Sequence, residues 1–186
     1  MAKDNIRFKI IQATKEEINI NGSDFTLDMV AKRAGISKKT IYNNFNDKEE
    51  LVNCVIKDVF LKLKERRVKI INDTDMDIVE KIKKLFVLIP IEVSEIDLRK
   101  YEAVCVKYPG LLKYVDEKIE DEWSYIDEYL DLAMKQGRIK RRNIYSVKTV
   151  WLGTIRFYLI YRERCMANDV TMCEILSIIM NGLKMK

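Results

Sequence analysis

The stretch LDMVAKRAGISKKTIYNNF occupies residues 27–45. Thr26, just before it, can cap a helix with its hydroxyl, and Asp28 falls in the first turn, where the helix dipole favours an acid. Val30, Ala31 and Ala34 give that helix an apolar side. Gly35 ends it, because a residue in the left-handed conformation lets the chain turn sharply. Ser37 caps a second short helix, and Ile36 and Ile41 can pack back on Val30, Ala31 and Ala34. Two short helices joined by a Gly-containing turn of about four residues have the form of a helix-turn-helix.

The second helix carries an unusual set of side chains. With Ile41 and Phe45 in a small core, Lys38, Lys39, Thr40, Tyr42, Asn43 and Asn44 remain on or near the outer face. Such a set can contact phosphates and base edges together. Between residues 32 and 48 five basic groups, Lys32, Arg33, Lys38, Lys39 and Lys48, stand against the single acid Asp47, a local charge of +4 in a chain of net charge +5. The basic charge is thus concentrated where a duplex would sit. Taken alone, SKKTIYNNF also fits an ordinary amphipathic surface helix, and those nine residues do not choose between the two readings.

Their context does. II-x-A at 10–13, Gly22, Phe25-Thr26, Met29-Val30-Ala31, Ala34-Gly35-Ile36-Ser37, Thr40-Ile41-Tyr42, Phe45 and Lys48-Glu49-x-Leu51 follow one another in the order and spacing of a known family. The stretch from 10 to 52 resembles the amino-terminal DNA-binding region of TetR-family transcriptional regulators. That resemblance implies that Thr26 and Lys48 bind backbone phosphate and that Tyr42 packs against phosphate or a base edge. It also implies that Ser37, Lys38, Lys39, Thr40 and Asn43 face the major groove. Lys39 departs from the small residue often found there, so it either reads a guanine or adds a phosphate contact. Thr14 replaces a common alanine, a change that touches packing only.

Composition narrows the function further. At 186 residues with 48% hydrophobic side chains, the chain can build one large domain or a small one joined to a larger. Six glycines, two prolines and no low-complexity tract leave no flexible linker, and no internal repeat shows. The start, MAKDNIRFKII, lacks the apolar core of a signal peptide, and the longest apolar run, LFVLIPI at 85–91, is too short to span a bilayer, so a cytoplasmic protein with no membrane partner is expected. Cys54, Cys105, Cys165 and Cys173 lie far apart without a C-x-x-C pair and read as buried reduced thiols. The chain has no histidine, which removes His-dependent triads and the common zinc-hydrolase ligand sets. The acids of DEKIEDEW, residues 116–123, crowd one helix surface without a phosphate loop or a metal-ligand motif. No catalytic residue, metal or cofactor is therefore expected.

Helical spacing runs through the rest of the chain, and no strand pattern competes, so the fold class is all-α. Ile6, Ile10, Ala13, Ile11 and Ile18 predict a first helix over 3–20, stopped at Asn21-Gly22. Asp47-x-x-Glu50 opens a long helix through Leu51, Val55, Val59 and Leu63 toward Ile71. The change of domain falls on this bridging helix; dividing at its start gives a helix-turn-helix domain over 1–47 and a helical ligand-binding and dimerisation domain over 48–186. Ser94-x-x-Asp97 and Thr171-x-x-Glu174 read as helix starts, Pro109-Gly110 and Gly137 as stops, and Pro90 as a kink or end.

Two apolar stripes mark the predicted helix over 144–165: Val147, Val150, Thr154, Phe157 and Tyr161 on one, Trp151, Ile155, Tyr158 and Leu159 on the other. Such a helix must be covered twice, by its own domain and by a partner. The last helix, with Ile175, Leu176, Ile178, Ile179 and Leu183, is also too apolar for a free surface. A homodimer is expected, joined through Ile155, Leu159, Ile175, Ile178, Ile179 and Leu183. In the resembling family this part of the chain binds a small molecule. Candidates for such a pocket are Phe86, Tyr101, Cys105, Tyr108, Trp123, Ile126, Met134, Trp151, Phe157 and Tyr158. Positions of this kind are packing more often than ligand contacts, so the core reading stands beside the pocket reading. Arg156 fits either an anionic ligand or an acid at the dimer rim, and the basic run KQGRIKRRN at 135–143 reads as a solvated loop.

The expected function is a DNA-binding transcriptional regulator, a repressor released from a palindromic operator by an unidentified small molecule. The alternatives are a helical adaptor that keeps the helix-turn-helix but binds protein, and a His-free enzyme in the carboxy-terminal part.

Overall fold

The computed structural model describes Ala2–Val93 and Ile96–Lys184, all helix and connecting turns with no strand among the described residues. In chain order the helices are α1 (Ala2–Asn21), a 3-10 turn (Gly22–Asp24), α2 (Leu27–Ala34), α3 (Lys38–Tyr42), α4 (Lys48–Asn72) and α5 (Ile78–Glu92). They continue with α6 (Leu98–Lys107), α7 (Pro109–Lys135), α8 (Ile144–Ile160), α9 (Arg162–Met166) and α10 (Met172–Leu183). No helix among the described residues is long and apolar enough to cross a membrane.

Two compact units divide the chain, and both α4 and α7 run from one into the other. The first holds residues 1–61 and 96–116, the second residues 62–95 and 117–186. By compactness, the division therefore falls inside α4, between Leu61 and Lys62, and brings α6 into the amino-terminal unit.

In the first unit, the expected periodicity becomes a small core of Ile10, Ala13, Ile18, Phe25, Val30, Ala31, Ala34, Ile41, Phe45, Leu51, Val52 and Val55. Thr14 is fully buried among them and donates its hydroxyl to the Ile10 carbonyl at 2.8 Å, so the extra polar group is satisfied within its own helix. Arg33 ties α2 to α1 through Glu17 at 2.6 Å and Glu16 at 2.9 Å. Glu17 is buried, and Asn21 donates to its second oxygen at 2.6 Å, which leaves this acid paired rather than stranded.

The second unit is built on Phe86, Trp123 and Trp151, with Ile82, Leu85, Ile126, Leu130, Met134, Val147, Ile155, Met180 and Leu183 around them. Phe86 lies 4.9 Å from Trp151 and 6.1 Å from Trp123 between ring centroids. A buried Arg67–Glu122 ion pair joins α4 to α7, and the Arg67 guanidinium also stacks 3.9 Å from the Tyr125 ring centroid. Arg138 bridges to Asp77 at 2.6 Å, and the Lys140 amide donates to the Leu183 carbonyl at 2.8 Å, so the basic run is pinned along its own unit.

Several helix limits depart from the expected ones. Pro109 does not stop a helix but opens α7, a position where its missing N–H costs nothing; α6 has already ended at Lys107, and Gly110 lies within α7. Pro90 leaves α5 unbroken to Glu92. The helix expected over 144–165 is two, because at Tyr161 the backbone leaves helical values (φ −108°, ψ 31°) before α9 begins. Gly137 does stop α7, at φ +68°, and Thr171 does start α10 by accepting from the Glu174 amide at 3.2 Å. Asp97 caps α6 through the Arg99 amide at 3.1 Å, whereas its expected companion Ser94 lies outside the described residues. Cys105 and Cys165 are buried as expected, Cys54 is half-buried, and Cys173 is exposed, contrary to the expectation for a buried thiol.

Candidate nucleic-acid interface

Three backbone devices aim α3. Thr26 accepts the Met29 amide at 3.2 Å and so starts α2. Gly35, at φ +61°, ends α2 by a left-handed cap in which the Ile36 amide reaches back to the Ala31 carbonyl at 3.0 Å. Ser37 then accepts the Thr40 amide at 3.1 Å and starts α3. With only five residues, α3 depends on tertiary contacts for its stability. Ile41 and Phe45, both buried, supply them.

Those anchors fix the outward face. Ser37, Lys38, Lys39, Tyr42 and Asn43 are exposed, with Tyr42 at 52%, and Thr40 is half-buried. Arg7 of α1 secures the far end of α3: its guanidinium stacks 4.3 Å from the Phe45 ring centroid and donates to the Asn44 carbonyl. Nothing in the periodicity of α1 marks Arg7 for this role, because a cation stacked on an aromatic ring has no spacing rule.

Lys38 pairs with Asp28 at 2.8 Å, and that hydrogen bond raises the lysine above its ordinary pKa. The acid at the start of α2 therefore does more than meet the helix dipole: it steadies the side chain at the start of α3. Both partners are exposed, so the pair is weak and exchangeable. Lys39 is exposed and makes no ion pair among the described residues.

Lys48 is half-buried. Its ammonium lies 3.9 Å from the Phe25 ring centroid, donates to the Phe25 carbonyl, and reaches the Ser23 carbonyl at 3.4 Å. Burial holds it below its ordinary pKa, the charge of Lys107 adds to that effect, and Asp24 opposes it. Thr26 is exposed two residues beyond the 3-10 turn that the Lys48 amine reaches. The expected phosphate ligands Thr26 and Lys48 thus flank one turn of the chain.

The expected pocket residues do not form one group. Tyr101, Cys105 and Tyr108 belong to the first unit, where Tyr101 and Cys105 are buried and Tyr108 is half-buried. Burial pushes all three above their ordinary pKa values. Phe86, Trp123, Ile126, Met134 and Trp151 are core of the second unit, Tyr158 is half-buried, and Phe157 is 54% exposed against Tyr161. The indole N–H groups of Trp123 and Trp151 are buried without a full hydrogen bond among the described residues. Of the expected interface residues, Ile155 and Leu183 are buried in the core of the second unit, which takes them off its surface. Leu159, Ile175 and Ile179 are partly covered by that core, and Ile178 is 67% exposed.

Residues 10–55 match the family model for bacterial regulatory proteins of the tetR family. Over 153 residues the chain is 26% identical to the uncharacterized HTH-type transcriptional regulator YvaF of Bacillus subtilis (strain 168), a match that covers 79% of this chain and 77% of that one. Among solved structures, a TetR family transcription regulator from Marinobacter aquaeolei VT8 superposes with a TM-score of 0.70 at 19% identity over 98% of this chain and 97% of the other. The regulator FadR from Bacillus subtilis, solved in complex with stearoyl-CoA, superposes with a TM-score of 0.69 at 20% identity, covering 92% and 96%. The ketosteroid transcriptional regulator KstR2 of Mycobacterium tuberculosis gives 0.69 at 17% identity, covering 97% and 95%. At these identities the superpositions speak to the fold.

Proposed function

We propose that this chain, whose residues 10–55 match the family model for bacterial regulatory proteins of the tetR family, represses transcription as a homodimer that leaves its operator when a small molecule binds. The observation that carries the proposal is the division of α3 into a buried side, Ile41 and Phe45, and an exposed side, Ser37, Lys38, Lys39, Tyr42 and Asn43. In this reading the exposed side enters the major groove with Thr40, while Thr26 and Lys48 hold the phosphate backbone beside it.

Two copies of this surface, related by a two-fold axis, would meet two half-sites at once, and the second contact would be strengthened by the first. The side chains proposed to bring the copies together are Phe157, Tyr161, Val150 and Ile178, which are large, apolar and exposed on α8, α10 and the turn after α8. The effector proposed is a large apolar molecule taken up by the aromatic cluster of Phe86, Trp123 and Trp151. The stearoyl chain of the stearoyl-CoA in the FadR complex and the ketosteroid in the name of KstR2 are apolar groups of that kind. Such an effector weakens DNA binding only to the extent that it prefers the conformation that cannot match adjacent grooves.

A mobility-shift titration with DNA flanking the protein's own coding region tests the proposal. Wild-type protein is expected to retard a fragment, and the Lys38→Ala/Lys48→Ala protein to lose that shift while keeping its helicity. A double variant that binds as well as wild type would remove the recognition surface from α3 and favour a protein partner instead.

A further inference from the structure

We propose that Lys107, at the end of α6, is a further phosphate contact that joins the DNA-binding surface beside Lys48. The proposal rests on the reading of Lys48 and Thr26 as phosphate ligands.

Both amines meet at one oxygen. The Ser23 carbonyl accepts from Lys48 at 3.4 Å and from Lys107 at 3.1 Å, so two positive charges from distant parts of the sequence stand on the same turn. Each ammonium has three donors. Lys48 directs its amine to the Ser23 and Phe25 carbonyls, and Lys107 directs its amine to Ser23 and to Asp24 at 3.5 Å. On that count each keeps one donor for a further acceptor.

Two like charges in such a place repel, and the lowered pKa of Lys48 carries part of that repulsion. A phosphate between them turns repulsion into attraction for both. The lysine is also open to a ligand: the Lys107 side chain is 51% exposed. Its partner Asp24 is 87% exposed, and an ion pair that wet is held weakly, so a phosphate can take its place.

Lys100, earlier on α6, makes a useful contrast. Its amine donates to the Asn19 and Ile20 carbonyls at 2.5 and 2.8 Å, where it closes the carboxy-terminal end of α1, and it has no cation beside it on the same oxygen among the described residues. It serves as a tether. Lys107 combines the same tether with a neighbouring charge, an exposed side chain and the turn that ends two residues before Thr26.

Lys107→Gln separates the two roles, because glutamine can still donate to the Ser23 carbonyl but carries no charge. Full-length protein is titrated against a fluorescein-labelled duplex of mixed sequence over a series of salt concentrations, with fluorescence anisotropy as the readout. Wild type should show log K falling linearly with log salt, and Lys107→Gln should make that slope shallower by about 0.9 for each subunit bound. Lys107→Arg should restore the wild-type slope. Asp24→Asn should act in the opposite direction and tighten binding several-fold at fixed salt. A Lys107→Gln line parallel to that of wild type, whatever its offset, would overturn the proposal and leave Lys107 as a tether. Wild-type binding flat in salt would instead overturn the DNA-binding reading itself, and this proposal with it.

Discussion

Tyr42 is the residue on which the outward reading of α3 turns. Its ring is half exposed although the neighbouring Ile41 is buried, so its burial is not needed to hold the helix. Tyr42→Ala should therefore leave the thermal melt near wild type and weaken DNA binding by about 1–3 kcal/mol, roughly 5- to 150-fold. A variant that unfolds would put Tyr42 in the core and reverse the facing of α3. At this scale the sequence is informative wherever a residue's role is local. Thr26, Gly35 and Ser37 act within a few positions of themselves, and their caps appear as expected. Arg7 on Phe45, Lys38 on Asp28 and Lys107 on Ser23 join residues between 10 and 84 positions apart through the fold, where no spacing in the chain announces them.

Among elements, α2 and α3 were legible because caps, a left-handed glycine and apolar periodicity agree with one another. Pro109-Gly110 reads as a stop but opens α7, because proline suits both the position after a stop and the first turn of a new helix. The two stripes of α8 were legible as stripes, but not which of them the subunit itself covers. That depends on where α5, α7 and α10 pack, and they bury Val147, Trp151 and Ile155. This assignment separates two substitutions of the same kind. Ile178→Asp should fold and sediment as a monomer with weak operator binding, because its side chain is exposed within the subunit. Ile155→Asp should fail to fold, since it buries a carboxylate without a partner at a cost of several kcal/mol. If Ile178→Asp remained dimeric, the interface would lie elsewhere than on α10.

One compact unit carries the exposed side of α3 and the other the aromatic core of Phe86, Trp123 and Trp151, and the residue ranges of α4 and α7 each cross the division. Sequence placed the change of domain on α4 but could not bring in α6, since its place beside α1 is made by contacts such as Lys100 to Asn19, 81 residues apart. The central claim is that paired copies of α3 read DNA bases in the major groove. Selection from a pool of randomised duplexes by the wild-type protein, followed by sequencing of the bound DNA, tests it most directly. The account predicts an enriched inverted repeat whose half-sites lie about one helical turn, or a multiple of it, apart. A pool that stays unenriched through successive rounds, or that converges on a single site without two-fold symmetry, would contradict it.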